Sequence, residues 1–327
     1  MTLRHGEEDP APRVEVNPQG GLLPGYVGEA APGLRGRETP LKGDESALPT
    51  EGKGVRRFFC DVHRRAKNGE GYRITYTTDG VTFRHTDRFA EIPATTDDKV
   101  LVDTLPLNHT DDAIELLRHG VEIYCIRRLT LIKERREKLK LPKTARGDIT
   151  ALMQIDGRWF RKLSEDFLIM RRMISAYRSL QRTHQQLENK CKALSEAEKY
   201  ALKPAIRALE NQMNEMAKKI AEEAGRRYHA YNKLVEVLGI DGNLQAVEAL
   251  AEILVYPEWR SWRRTRNYFG LFPRDRKTHH HKSKTARQAL ERLAVAVKGY
   301  GVKGRDLDEV VKTIWLMLKT QKTGPPA

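Results

Sequence analysis

Three aspartates, Asp61, Asp103 and Asp148, are the residues in this chain best suited to chemistry. Asp61 and Asp103 lie at or near the ends of short apolar runs, and Asp148 falls on a helix expected to follow. Carboxylates gathered from separate elements can clamp divalent metal ions, which activate the attacking oxygen and stabilise the leaving one in phosphoryl transfer. An all-oxygen donor set suits magnesium or manganese. Taken singly, each aspartate could equally end a strand or cap a helix. Two hydroxyls, Thr278 and Ser283, are weaker catalytic candidates within a basic stretch, where phosphate contact or helix capping is the simpler role.

The elements that must position these groups follow from hydropathy. Residues 55–62 (VRRFFCDV) predict a first strand carrying Asp61 near its end. Residues 72–77 (YRITYT) and 81–85 (VTFRH) flank Asp79-Gly80, a dipeptide that favours a tight hairpin. Residues 99–104 (KVLVDT) predict a buried strand ending around Asp103, 111–118 a helix with an acidic first turn closed by Gly120, and 121–126 a fifth strand. Three antiparallel strands followed by strand, helix and strand are the order of a ribonuclease H-like mixed sheet in an α/β domain, although other α/β layers share parts of it.

Residues 158–238 read as helical. Leu163, Phe167, Met170 and Ile174 step by four and three, and Met173, Tyr177, Leu180, His184, Leu187, Cys191 and Leu194 continue on a neighbouring stripe. Leu202, Ile206, Leu209, Met213, Met216 and Ile220 repeat the spacing after a break that holds a capping box from Ser195 to Glu198, with Pro204 nearby. A long antiparallel coiled-coil hairpin is expected, with His184 as a packing residue. Beyond it, helices near 244–254, 285–298 and 306–320 predict a small all-α C-terminal domain. The expected division is therefore a tail at 1–54, an α/β domain at 55–157, the hairpin at 158–238, a basic helical domain at 239–320 and a frayed end at 321–327.

Charge is unevenly placed. The 327 residues carry 59 Lys+Arg against 44 Asp+Glu, a net of +15, yet residues 1–54 are net negative. That head holds seven of the 15 prolines and ten of the 24 glycines, too little apolar material to offset its ordering entropy, and is expected to be disordered. The most basic stretch, 258–288, has ten Lys+Arg against two acids. Arg263, Arg264, Arg266, Arg274, Arg276, Lys277, Lys282, Lys284 and Arg287 are its candidate phosphate contacts. Nucleic acid is the expected partner. No apolar run is long enough for a membrane helix, and no secretory h-region follows the first charges, so a cytoplasmic, nucleoid-associated protein without a membrane partner is expected. Three scattered cysteines, Cys60, Cys125 and Cys191, fit reduced thiols, the first two in the core.

The order of these features resembles the DEDD-type insertion-sequence transposases, the family of the Piv invertase and the bridge-RNA-guided recombinases. Asp61, Asp103 and the run Lys143-Thr144-Ala145-Arg146-Gly147-Asp148 resemble the family's RuvC-like carboxylates and its Lys-Thr-Asp-x-x-Asp-Ala helix motif. Gly239-Ile240-Asp241-Gly242, the run Asn267-Tyr268-Phe269-Gly270-Leu271-Phe272-Pro273, and Ser283-Lys284 with Leu290 resemble its downstream blocks. The resemblance spans about residues 55 to 297. It implies a RuvC-like catalytic domain bearing Asp61, Asp103 and Asp148 as metal ligands, and a C-terminal transposase domain supplying a serine nucleophile. It further implies magnesium or manganese, DNA as substrate, a guide RNA in some members, and a homodimer or homotetramer.

Three positions depart from the pattern: Asp103 replaces a glutamate, Ala145 replaces the third carboxylate, and Thr278-His279 occupies the region of the Ser-Gly nucleophile. Two functions therefore stand side by side, a metal-dependent transposase or recombinase and a catalytically decayed nucleic-acid-binding protein on the same scaffold.

Overall fold

In a computed structural model the protein is described over residues 54–64, 72–257, 259, 261–271 and 283–322. The expectations for all but the last residue of the tail at 1–54, for Arg274, Arg276, Lys277, Thr278 and Lys282, and for 323–327 of the frayed end at 321–327 lie outside the described residues.

The first half forms a mixed six-stranded sheet: β1 (Arg57–Arg64), β2 (Tyr72–Thr77), β3 (Arg84–Thr86), β4 (Lys99–Val102), β5 (Glu122–Ile126) and β6 (Phe160–Lys162). Their order across the sheet is β3-β2-β1-β4-β5-β6. β1, β4 and β5 run parallel, while β2 is antiparallel to β1 and to β3, and β6 to β5. The central strands have both faces covered, which explains their near-continuous apolar runs. On one face Cys60, Val62, Val100, Val102 and Ile123 pack with Ala113 and Ile114 of α1 (Thr110–Arg118). On the other, Leu101, Tyr124 and Ile126 meet Ile132 of α2 (Thr130–Lys138) and Ala151 and Leu152 of α3 (Ala145–Met153).

Asp79-Gly80 does not close a tight hairpin. β3 begins only at Arg84, with Tyr76 paired to Arg84, so a longer loop joins the strands. Asp79 is the reason: its Oδ1 accepts from the Val81 and Thr82 amides and from the Thr77 hydroxyl, drawing 81–83 into a turn instead of a ladder. The span 158–238 is not wholly helical either. Phe160–Lys162 is an edge strand on β5, and Leu163 is buried in the sheet's core rather than on a helix stripe.

α4 (Glu165–Cys191) and α5 (Glu196–Arg227) form the helical hairpin. Arg227 pairs with Asp166 at 2.5 Å near the base and His184 with Glu210 at 3.3 Å further out, which sets an antiparallel register. Ser195 and Glu198 make the expected capping box, and Pro204 falls within α5, early in the helix. The hairpin's lower half, Met170, Ile174, Tyr177, Ala217, Ile220 and Ala224, shares one core with the C-terminal helices. Those are α6 (Tyr231–Leu238), α7 (Leu244–Val255), α8 (Trp262–Tyr268), α9 (Lys284–Lys298) and α10 (Gly304–Lys322). In the outer half, Leu180, Leu187, Leu202, Ile206 and Leu209 are only half-buried.

α7 is apolar almost all round, yet it carries Glu248 and Glu252 with essentially no solvent exposure. Arg178 of α4 forks onto Glu252, and Arg292 of α9 bonds Glu248 at 2.7 Å and approaches Glu252 at 3.6 Å. Burial raises Glu248 to about 7, with the Arg292 charge opposing it. Breaking such a network by removing one member leaves an uncompensated charge and costs about 3–5 kcal/mol. Arg178→Met is accordingly expected to lower the stability by that order in chemical denaturation, whereas exposed Lys203→Met should shift it by less than about 0.5 kcal/mol.

Candidate functional site

The register places the first two aspartates side by side. Cys60 on β1 pairs with Val102, the last residue of β4, so Asp61 and Asp103, one residue further on, follow side by side where the parallel β1–β4 pairing ends, Asp61 within β1 and Asp103 just past β4. Crevices outside those ends are where ligands bind in open α/β sheets. The ladder continues through the aspartate itself: the Asp103 amide donates to the Cys60 carbonyl at 3.4 Å, and Asp103 Oδ1 accepts from the Val62 amide at 3.1 Å.

Asp148 arrives from α3 on the face that carries Leu101. Thr144 caps that helix, accepting from the Gly147 amide at 3.1 Å, while its carbonyl accepts from the Asp148 amide at 2.8 Å. Gly147 allows the tight entry: a Cβ there would lie 2.2 Å from the Pro142 carbonyl oxygen. The Lys143–Asp148 run is thus a turn built to deliver Asp148, and Ala145 occupies the first turn without a polar group to offer.

Charge binds the three together. Burial raises Asp61, the His63 contact at 2.9 Å opposes the rise, and the Asp148 charge adds to it. Burial pushes Asp103 up to about 8, with the charge of Asp61 adding more and that of Asp148 a little further. Each carboxylate also has a private partner: Asp61 has His63, Asp103 the Val62 amide, and Asp148 the Arg136 guanidinium of α2. Among the described residues no group of three His, Cys, Asp or Glu side chains stands in ligand positions for a metal.

A polar row extends the site across the antiparallel strands. Asp61 pairs with Thr75, which pairs with His85, and Thr75 Oγ1 meets His85 Nδ1 at 3.0 Å. Partial burial lowers His85, and the nearby charges of Arg73, Arg146 and His63 add to the effect. Sequence reasoning passes over His63, Thr75, His85 and Arg136. For His63 a signal is present, since strand alternation sets it on the same face as Asp61.

The remaining candidates lie apart from the aspartates in the fold. Ser283 caps α9, accepting from the Ala286 amide at 3.2 Å and contacting Thr285 Oγ1, so its hydroxyl has a structural role. On α8, Arg263 and Arg264 are exposed, and Arg266 is half-buried and pairs with Asp308 at 2.7 Å. Lys284 is exposed, and Arg287 pairs with Glu291 at 2.8 Å. Phe269 is fully buried, and Trp259 and Trp262 pack on the same core. Cys60 is buried and Cys125 half-buried, and burial raises both thiols.

No family model and no curated protein matches the chain.

Two outcomes follow from the geometry. Gly147→Ala must displace a backbone carbonyl, and overpacking of that kind costs about 1–3 kcal/mol, read by urea denaturation. Asp103, raised in the folded state, stabilises the metal-free protein fully below about pH 4 and loses that contribution as pH climbs to about 8. Asp103→Asn should therefore melt several degrees above the wild type at about pH 8.5 and no higher than it near pH 4.

Proposed function

We propose that the protein is a metal-dependent DNA transposase or site-specific recombinase with a ribonuclease H-like catalytic domain. The observation that carries the reading is the placement of Asp61 on β1 beside Asp103 just past the end of the adjacent parallel strand β4, close enough for the charge of Asp61 to raise Asp103. Asp148, brought in by α3, completes the set and is close enough to raise both. The strand order β3-β2-β1-β4-β5, with the first three antiparallel, supports the ribonuclease H-like assignment. All-oxygen donors suit magnesium or manganese, and a hard divalent cation would offset the carboxylate charges that add to the burial-driven rise of Asp61 and Asp103. Asp61 and Asp103 would hold it, joined by Asp148 once Arg136 lets go. When bound, such an ion supplies Lewis-acid stabilisation at a scissile phosphate. The chain's own groups orient the carboxylates, through the Val62 amide and His63, and bring phosphates near through Arg73 and Arg146.

DNA is the proposed substrate and a guide RNA a proposed partner; the exposed Arg263, Arg264 and Lys284 support a polyanion on the C-terminal helices. The half-buried outer seam of the α4–α5 hairpin supports a coiled coil that pairs with a second copy, giving a homodimer or homotetramer. A second reading, a binding protein without catalysis, is favoured by the Arg136 guanidinium seated on Asp148 and by Ala145 in the helix's first turn.

Nicking of supercoiled DNA in manganese separates the two. The recombinase reading expects nicking that falls more than about a hundredfold in Asp61→Asn, beyond the 10–100-fold typical of outer-shell groups. It also expects manganese to raise the melting temperature of the wild type and not of the variant. Absence of both effects favours the binding protein. On either reading, Arg263→Glu with Arg264→Glu should weaken DNA binding and shallow its salt dependence by about 0.9 in log–log slope for each phosphate no longer neutralised.

A further inference from the structure

The sheet edge that carries the aspartates continues past them to an aromatic residue that belongs to none of the three cores. Trp159 ends a 3-10 turn directly before β6, and its carbonyl accepts from the Arg127 amide at 2.8 Å, beyond the carboxyl end of β5. It is half-exposed, whereas Trp259, Trp262 and Trp315 all pack with other rings. Arg128 and Arg158 each stand with their guanidinium carbon 5.7 Å from the Trp159 ring centroid. Both arginines are exposed, and their ion pairs with acids are long, 4.0 Å from Arg128 to Glu134 and 3.9 Å from Arg158 to Asp156. Exposed pairs at such distances are worth about 0–1 kcal/mol, too little to withhold either cation from a phosphate.

Placement follows from the ladder. Ile126 of β5 pairs with Phe160 of β6, and Asp103 extends β4 beside β5, so Trp159 lies about two strand spacings, or roughly 10 Å, from the aspartate row. On the opposite side of the aspartates, Arg146 stacks over Phe83 at 5.3 Å, giving a second cation–aromatic pair. Aromatic faces with arginines alongside are platforms for unpaired bases, whereas paired bases in a duplex hide their faces.

From this arrangement we infer that Trp159, flanked by Arg128 and Arg158, is a base-stacking site for a single nucleic-acid strand that continues over Asp61 and Asp103. The inference rests on reading the aspartate row as a site that processes nucleic acid, and it adds the form of the substrate: a strand unpaired at that edge.

The full-length protein is tested with a fluorescently labelled oligothymidylate by anisotropy, alongside a duplex of equal length and the nicking reaction. Trp159→Ala should weaken single-strand binding about 5- to 150-fold, the span of about 1–3 kcal/mol per stacked base, with the salt slope unchanged. Trp159→Phe should restore most of the affinity, which also separates stacking from a folding defect. Arg128→Gln with Arg158→Gln should shallow the salt slope, and duplex affinity should respond less to Trp159→Ala than single-strand affinity does. Wild-type affinity in Trp159→Ala with manganese-dependent nicking intact overturns the stacking site and leaves the catalytic reading standing. Loss of nicking in Asp61→Asn while Trp159→Ala still loses single-strand affinity supports both. A wild-type protein that neither binds the oligonucleotide nor nicks DNA overturns both.

Discussion

Two carboxylates on adjacent parallel strands set the terms for the rest of this structure. The pairing of Cys60 with Val102 leaves Asp61 and Asp103 no way to avoid each other. Burial raises both, the charge of Asp61 raises Asp103 further, and the charge of Asp148 adds to each. A protein that carries such a pair loses stability near neutral pH, and the surroundings are arranged to limit the loss. The Val62 amide holds Asp103, His63 sits against Asp61, and α3 enters through a turn that only a glycine can make.

The same pressure explains why each carboxylate has a partner of its own. Without a cation, unpaired buried charges are strongly unfavourable, and Arg136 neutralises Asp148. That guanidinium is both the strongest sign of a decayed site and a natural placeholder for a cation. Metal-dependent melting decides between these because a placeholder gives way to manganese and a decayed site does not respond to it.

Within the helical core a second set of buried charges has a different character. Glu248 and Glu252 face Arg178 and Arg292 inside a helical core, and these join three helices from distant parts of the chain. The link fixes α7 against the base of the hairpin, and Arg161 ties the sheet's edge strand to the end of α7 through the Val255 and Tyr256 carbonyls. The aspartate-bearing sheet and the basic C-terminal helices are thus held in one frame, as a site built from both would need.

Much of this is legible in the sequence. The strands around Asp61 and Asp103, the capped hairpin and its half-buried stripe follow from alternation and from spacing near 3.5, because a side chain's face is a local property of the backbone. Cys60 and Phe269 are readable as core for the same reason. The Asp79 turn escapes the dipeptide rule because a side-chain acceptor competes with the ladder, and β6 escapes notice because three residues carry no period. Which groups meet across the fold is decided only by the tertiary structure. Arg136 on Asp148, Thr75 between Asp61 and His85, the arginines flanking Trp159 and the ion network on α7 all depend on it. Such contacts follow from strand order and helix packing, and the energies that select them belong to the folded whole rather than to any segment of it.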